Sequence, residues 1–65
     1  MSADLDTIIA NVQRMRAAHT AAHEALSALI KGEYSPTQLD AAKARAVEAR
    51  FEYLLALEAY FEETL

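Results

Sequence analysis

The only glycine and the only proline of this 65-residue chain stand four positions apart, at Gly32 and Pro36, close to its middle. These are the two residues that most disfavour a helix interior, by about 1 and 3 kcal/mol relative to alanine. The segments on either side lack a strong breaker. Fifteen alanines, the best helix formers, run through both. Valine, isoleucine and threonine are too sparse for a sheet. The sequence therefore predicts helices over about 4–31 and about 36–64, joined by a turn at 32–35. A connector of about four residues forces neighbouring helices antiparallel. The expected fold is all-α, a two-helix hairpin forming a single domain over 1–65.

The helix ends carry their own signals. Around Ser2–Asp6, Asp4 and Asp6 can cap free backbone N–H groups and favour the positive end of the helix dipole. Lys31 places a cation at the negative end, and Gly32 can close the helix in the left-handed conformation. The second start is more complete. Ser35 is the expected N-cap, Pro36 the first helical residue, and Gln38 the third, which is a capping box. Tyr34 and Leu39 flank the cap as a hydrophobic staple.

Apolar residues of the first helix recur at alternating spacings of three and four. They are Leu5, Ile8, Val12, Met15, His19, Ala22, Leu26 and Leu29, with Ile9 and Ile30 widening the stripe. That is a heptad seam for one neighbouring helix. On the second helix, at ~100° per residue, Leu39, Ala46, Arg50, Tyr53, Leu54, Leu57 and Phe61 fall on one stripe, which is expected to face the first helix. Ala42, Val47, Tyr60 and Leu65 flank it, and Glu48, Glu52, Glu62 and Glu63 lie largely opposite.

Chains this short bury only about 60 % of their unfolded surface, and usually add disulfides, a metal or oligomerisation. Cysteine is absent, which removes disulfides and thiolate zinc sites. Phe51 and Leu55, one turn apart and off the stripe, would face water in a lone hairpin. Pairing two hairpins into a dimeric four-helix bundle would bury them. A homodimer is the expected state.

Net charge is −4, with −1 in residues 1–34 and −3 in residues 35–65. Lysines and arginines do not cluster, so neither nucleic acid nor an anionic membrane is an expected partner. No basic, apolar leader opens the chain and no apolar run approaches the roughly 20 residues that span a bilayer, which points to a cytoplasmic protein. One glycine cannot build a phosphate-cradling loop, and no nucleophile–base set stands out, so no enzyme activity and no cofactor are expected.

A few residues invite a sharper reading. His19 and His23, one helical turn apart, could share a metal. They lack the intervening glutamate of the H-E-x-x-H pattern and a nearby third ligand, so a polar layer within the seam is the expected role. Arg50, with Tyr53 and Tyr60, has the residue types enriched at binding hot spots. Glu52, Glu58 and Glu62 make the second half of helix two acidic, where charge opposes the helix dipole and Glu58 and Glu62 repel. The expected dimer or partner interface therefore comprises Arg50, Phe51, Tyr53, Leu55, Tyr60, Glu52, Glu62, Tyr34 and His19.

The stretch Gly32–Leu65 has a short turn, the run Leu39-Asp40-Ala41, and Ala49-Arg50, Tyr53, Ala56-Leu57 and Tyr60 in an AR..Y..AL..Y pattern. In these it resembles the helical hairpins of TolC-like outer-membrane efflux proteins, a resemblance of packing that implies no function here. In shape the expected hairpin dimer is similar to Rop-type plasmid regulators, whose likeness would imply RNA binding. The functional expectation is a small module that binds and modulates or inhibits a partner protein, of the kind phages and mobile elements carry. The alternatives are a structural subunit of a larger helical assembly and a Rop-like RNA regulator.

Overall fold

The computed structural model describes residues 4–65. Two helices, α1 (Leu5–Lys31, 27 residues) and α2 (Pro36–Thr64, 29 residues), pack against each other along their length. At 1.5 Å per residue they are about 40 and 43 Å long, which accounts for a molecule measuring 48 × 16 × 14 Å. His19 lies against Tyr53, Leu26 packs on Ala46 and Ala49, and Ile9 and Val12 share a groove with Leu57 and Tyr60. These meetings make the pair antiparallel.

The turn is built as a stop and a start. The Gly32 N–H donates to the Leu29 carbonyl at 3.1 Å. Gly32 itself is extended (φ −108°, ψ −163°) and not left-handed, so α1 ends without the glycine conformation expected from sequence. At the start of α2 the capping box is present. The Gln38 N–H donates to Ser35 Oγ at 3.2 Å, and the Ser35 N–H donates to Gln38 Oε1 at 2.9 Å. Pro36 occupies the first turn, where its missing N–H leaves no bond unmade. At the other end of the chain, Asp4 is the α1 N-cap, and its carbonyl accepts the Ile8 N–H at 3.0 Å. The Asp4 side chain makes no capping bond. The part of the predicted start that falls on Ser2 lies outside the described residues.

The seam between the helices sets mostly large residues of α1 against a row of alanines on α2 that Leu39, Tyr53 and Tyr60 interrupt. From α1, Ile8 and Ala22 are buried, and Val12, Met15, His19, Leu26 and Leu29 are half-buried. This is the α1 heptad, except that Leu5 stays exposed. From α2 the covered residues are Leu39, Ala42, Ala46, Ala49, Tyr53, Ala56 and Tyr60, again spaced alternately three and four, with Leu57 half-buried at their edge. Ala46, at 4 % exposure, is the most buried of them. Small residues on one helix let the two axes approach, and the larger side chains of the other then fill the grooves.

That seam corrects the α2 stripe predicted from sequence. Leu39, Ala46, Tyr53 and Leu57 do turn toward α1, but Arg50, Leu54 and Phe61 are exposed. Ala42, Ala49 and Ala56 take their places. The physical reason is steric. α1 already supplies Ile8, Met15, Leu26 and Leu29, and a second row of large side chains opposite them would hold the helices apart.

Candidate functional site

With alanines turned inward, the larger apolar residues of α2 turn outward. Val47 is 68 % exposed and Phe51 61 %, and Leu54, Leu55 and Phe61 are each about half exposed. Val47, Phe51, Leu54, Glu58 and Phe61 follow one another at spacings of four and three, so they form a second heptad-spaced stripe. On a helical wheel at ~100° per residue, its centre lies roughly 120° around α2 from the alanine seam. Two shallow apolar grooves mark its surface. One is walled by Phe51, Leu54, Leu55, Leu57 and Phe61, with Glu58 at its side, and the other by Val47, Arg50, Phe51 and Leu54.

The stripe extends across the hairpin at two points. Near the chain ends, Ile9, Val12 and Gln13 of α1 meet Leu57, Tyr60 and Phe61 in a third groove. Toward the turn, His23 and Leu26 meet Lys43, Ala46, Val47 and Arg50. One side of the molecule is therefore a mainly apolar surface about two helices wide. Taking about 200 Å² for each large side chain, the five exposed large apolar residues of α2 leave roughly 550 Å² of apolar surface in water. The largest apolar patch of a typical monomer is about 300–600 Å² and is often functional.

The structure divides the residues singled out from sequence into three groups. Arg50, Phe51 and Leu55 lie on or beside the outward stripe and are exposed, as Phe51 and Leu55 must be in a lone hairpin. Tyr53, Tyr60 and His19 are half-buried between the helices, where the His19 and Tyr53 rings stack at 5.5 Å and 29°. They lie between the helices and not beside Arg50, although Tyr60 also reaches the groove at the chain ends. Tyr34 and Glu52 are exposed away from the stripe, and Glu62 is exposed on its flank.

Leu54 and Phe61 belong to the stripe although their spacing had placed them toward α1, and Val47, expected to flank that face, lies on the stripe with them. The signal that could have found them is the second, all-small heptad of Ala42, Ala46, Ala49 and Ala56. Two apolar heptads on one helix call for two neighbours.

The histidines sit edge to edge, with ring centroids 4.4 Å apart. Among the described residues, no group of three His, Cys, Asp or Glu side chains gathers to hold a metal. His19 also stacks on Tyr53 across the seam. Among the described residues, no helix is long and apolar enough to cross a membrane. The chain matches no family model, no curated protein and no solved structure. Its own geometry carries the functional reading.

Proposed function

We propose that the chain is a non-enzymatic protein-interaction module that acts by presenting the outer face of α2 to another helix and so modulates the protein that carries it. The observation behind this reading is the inversion of α2, with alanines toward α1 and Val47, Phe51, Leu54 and Phe61 toward water. A hairpin selected only to fold alone would bury its largest apolar side chains, since each contributes about 1.5–3 kcal/mol when fully removed from water. Among the described residues, the buried ones here are one isoleucine and four alanines. A stripe repeating at three and four residues matches the ridges of a partner helix. The net charge of −4 weighs against a polyanion as that partner.

The test is native size fractionation of the tagged chain from its own cells. The wild-type chain should run well above its 7.2 kDa mass. The double variant Phe51→Ser, Leu54→Ser should run as a single chain with its helical circular dichroism retained. A wild-type chain found only as a free monomer would overturn the reading.

A further inference from the structure

Four shallow grooves on this side of the molecule share walls and run together as one trough. The groove of His23, Leu26, Lys43 and Ala46 shares Val47 and Arg50 with its neighbour. That neighbour shares Phe51 and Leu54 with the next groove, and Leu57 and Phe61 lead on to the groove beside Ile9 and Val12. From Lys43 to Phe61, at 1.5 Å per residue, the trough follows α2 for about 27 Å.

The two halves of the trough differ in chemistry. Toward the chain ends its walls are apolar apart from Glu58 and Gln13. Toward the turn its charged residues are Lys43 and Arg50, with His23 on the α1 wall, and among the described residues no carboxylate lines that half. All three are exposed, and the side-chain hydrogen bonds found among the described residues use none of them. No carboxylate stands three or four residues from Arg50, the spacings that bring helical side chains together. Glu48, Glu52 and Glu62 lie more than ~100° around α2 from it. A chain of net charge −4 thus keeps one cationic stretch clear of its own acids.

Resting on the interaction reading above, we infer that the trough receives an amphipathic helix of another protein, apolar along one half and acidic along the other, with its carboxylates on Lys43 and Arg50. A helix without carboxylates would cover two cations and leave them desolvated. Lys43 and Arg50 are seven residues apart on one face, so carboxylates about two turns apart on the partner reach both. A guanidinium takes a carboxylate through two parallel hydrogen bonds, which fixes the register of the pair. The apolar half of the partner then covers Leu54, Leu57 and Phe61.

A second copy of the chain does not offer such a helix. A two-fold pairing centred on this row of α2 sets the row against itself in either direction, and Lys43, Arg50, Leu54, Leu57 and Phe61 include no carboxylate. An anionic bilayer suits the trough poorly as well. Glu58 lines its apolar half and Glu62 is exposed on the flank, where headgroup phosphates would come to lie.

Two labelled helical peptides of about 27 Å test this. Each carries leucines along one half of a face, continued by glutamates in the first peptide and by lysines in the second. In fluorescence anisotropy the chain should bind the acidic peptide about tenfold or more tighter than the basic one, and added salt should narrow the difference. The variant Lys43→Gln, Arg50→Gln should lose the preference. Lys43→Glu, Arg50→Glu should reverse it, with helical circular dichroism retained because both positions are exposed. A wild-type chain that binds the acidic peptide no tighter than the basic one overturns the inference. Binding to phosphatidylserine vesicles that Lys43→Glu, Arg50→Glu abolishes overturns it in favour of a membrane. A sedimenting dimer that the same variant dissolves overturns it in favour of a second copy.

Native size fractionation separates this inference from the reading it rests on. Lys43→Glu, Arg50→Glu should fall out of the large complex, as Phe51→Ser, Leu54→Ser does. A complex that survives the charge change and is lost only with the apolar one overturns the inference alone and leaves the interaction reading standing.

Discussion

Ala46→Leu should destabilise the hairpin, although by hydropathy it is a conservative change between two good helix formers. Ala46 is 4 % exposed and packs with Ala22, Ala49 and Leu26 where the two helices meet. Leucine adds three carbon atoms there, at a point where the helices approach closely over Ala22 and Leu26 already packs on the cluster. Overpacking of this kind costs about 1–3 kcal/mol. At roughly 0.05–0.15 kcal/mol per residue, a chain of this length has only about 3–10 kcal/mol of stability in all. Since 1 kcal/mol shifts Tm by about 4–8 °C for a domain of this size, the variant should melt at least ~4 °C lower.

The control is Ala59→Leu, the same substitution on the same helix at an exposed position. It should stay within about 0.5 kcal/mol of wild type. The assay is thermal unfolding by circular dichroism, with all three proteins at one concentration because association raises apparent stability. If Ala46→Leu and Ala59→Leu melt together, or Ala46→Leu melts higher, the alanine seam is not where the helices touch and the reasoning fails.

Three further outcomes follow from local geometry. Gly32→Ala should be neutral or stabilising by up to about 1 kcal/mol, because Gly32 is extended and an added Cβ would meet only the Ala28 and Leu29 carbonyls at 3.9 and 4.0 Å; a loss of stability in denaturant titration would show that the glycine needs a conformation closed to alanine. Ser35→Ala removes the acceptor of the Gln38 N–H and should cost about 1 kcal/mol, read as a lower urea midpoint with an unchanged slope. A double-mutant cycle of His19→Ala and Tyr53→Ala should return a coupling of about 0.5–1.5 kcal/mol for the stacked rings; strict additivity would deny that the stack contributes.

Much of the fold was legible because it depends on local chemistry. The capping box at Ser35 and Gln38, the proline in the first turn and the Lys31–Gly32 stop act within a few residues of themselves, so the sequence displays them in full. The α1 seam was legible too, since α1 carries one continuous heptad of mixed large residues. Less was legible at the two caps where a residue type permits more than one geometry. Gly32 can be left-handed but is extended, and Asp4 can cap but its side chain does not. The candidate site was half legible. Phe51 and Leu55 were found by their distance from any single stripe, whereas Tyr53 and Tyr60 were grouped with Arg50 although the fold sends them inward.

By itself, then, the sequence determined that two long antiparallel helices form, where the chain turns, and which face of α1 is covered. It did not determine which face of α2 meets that surface. α2 carries two apolar heptads, Ala42–Ala46–Ala49–Tyr53–Ala56–Tyr60 and Val47–Phe51–Leu54–Phe61, and hydropathy ranks the second above the first. Tertiary packing chose the first, because close approach to a helix already lined with Ile8, Met15, Leu26 and Leu29 depends on volume as well as polarity. The same choice left Val47, Phe51, Leu54 and Phe61 outside, with Arg50 and Glu58 spaced evenly about Leu54.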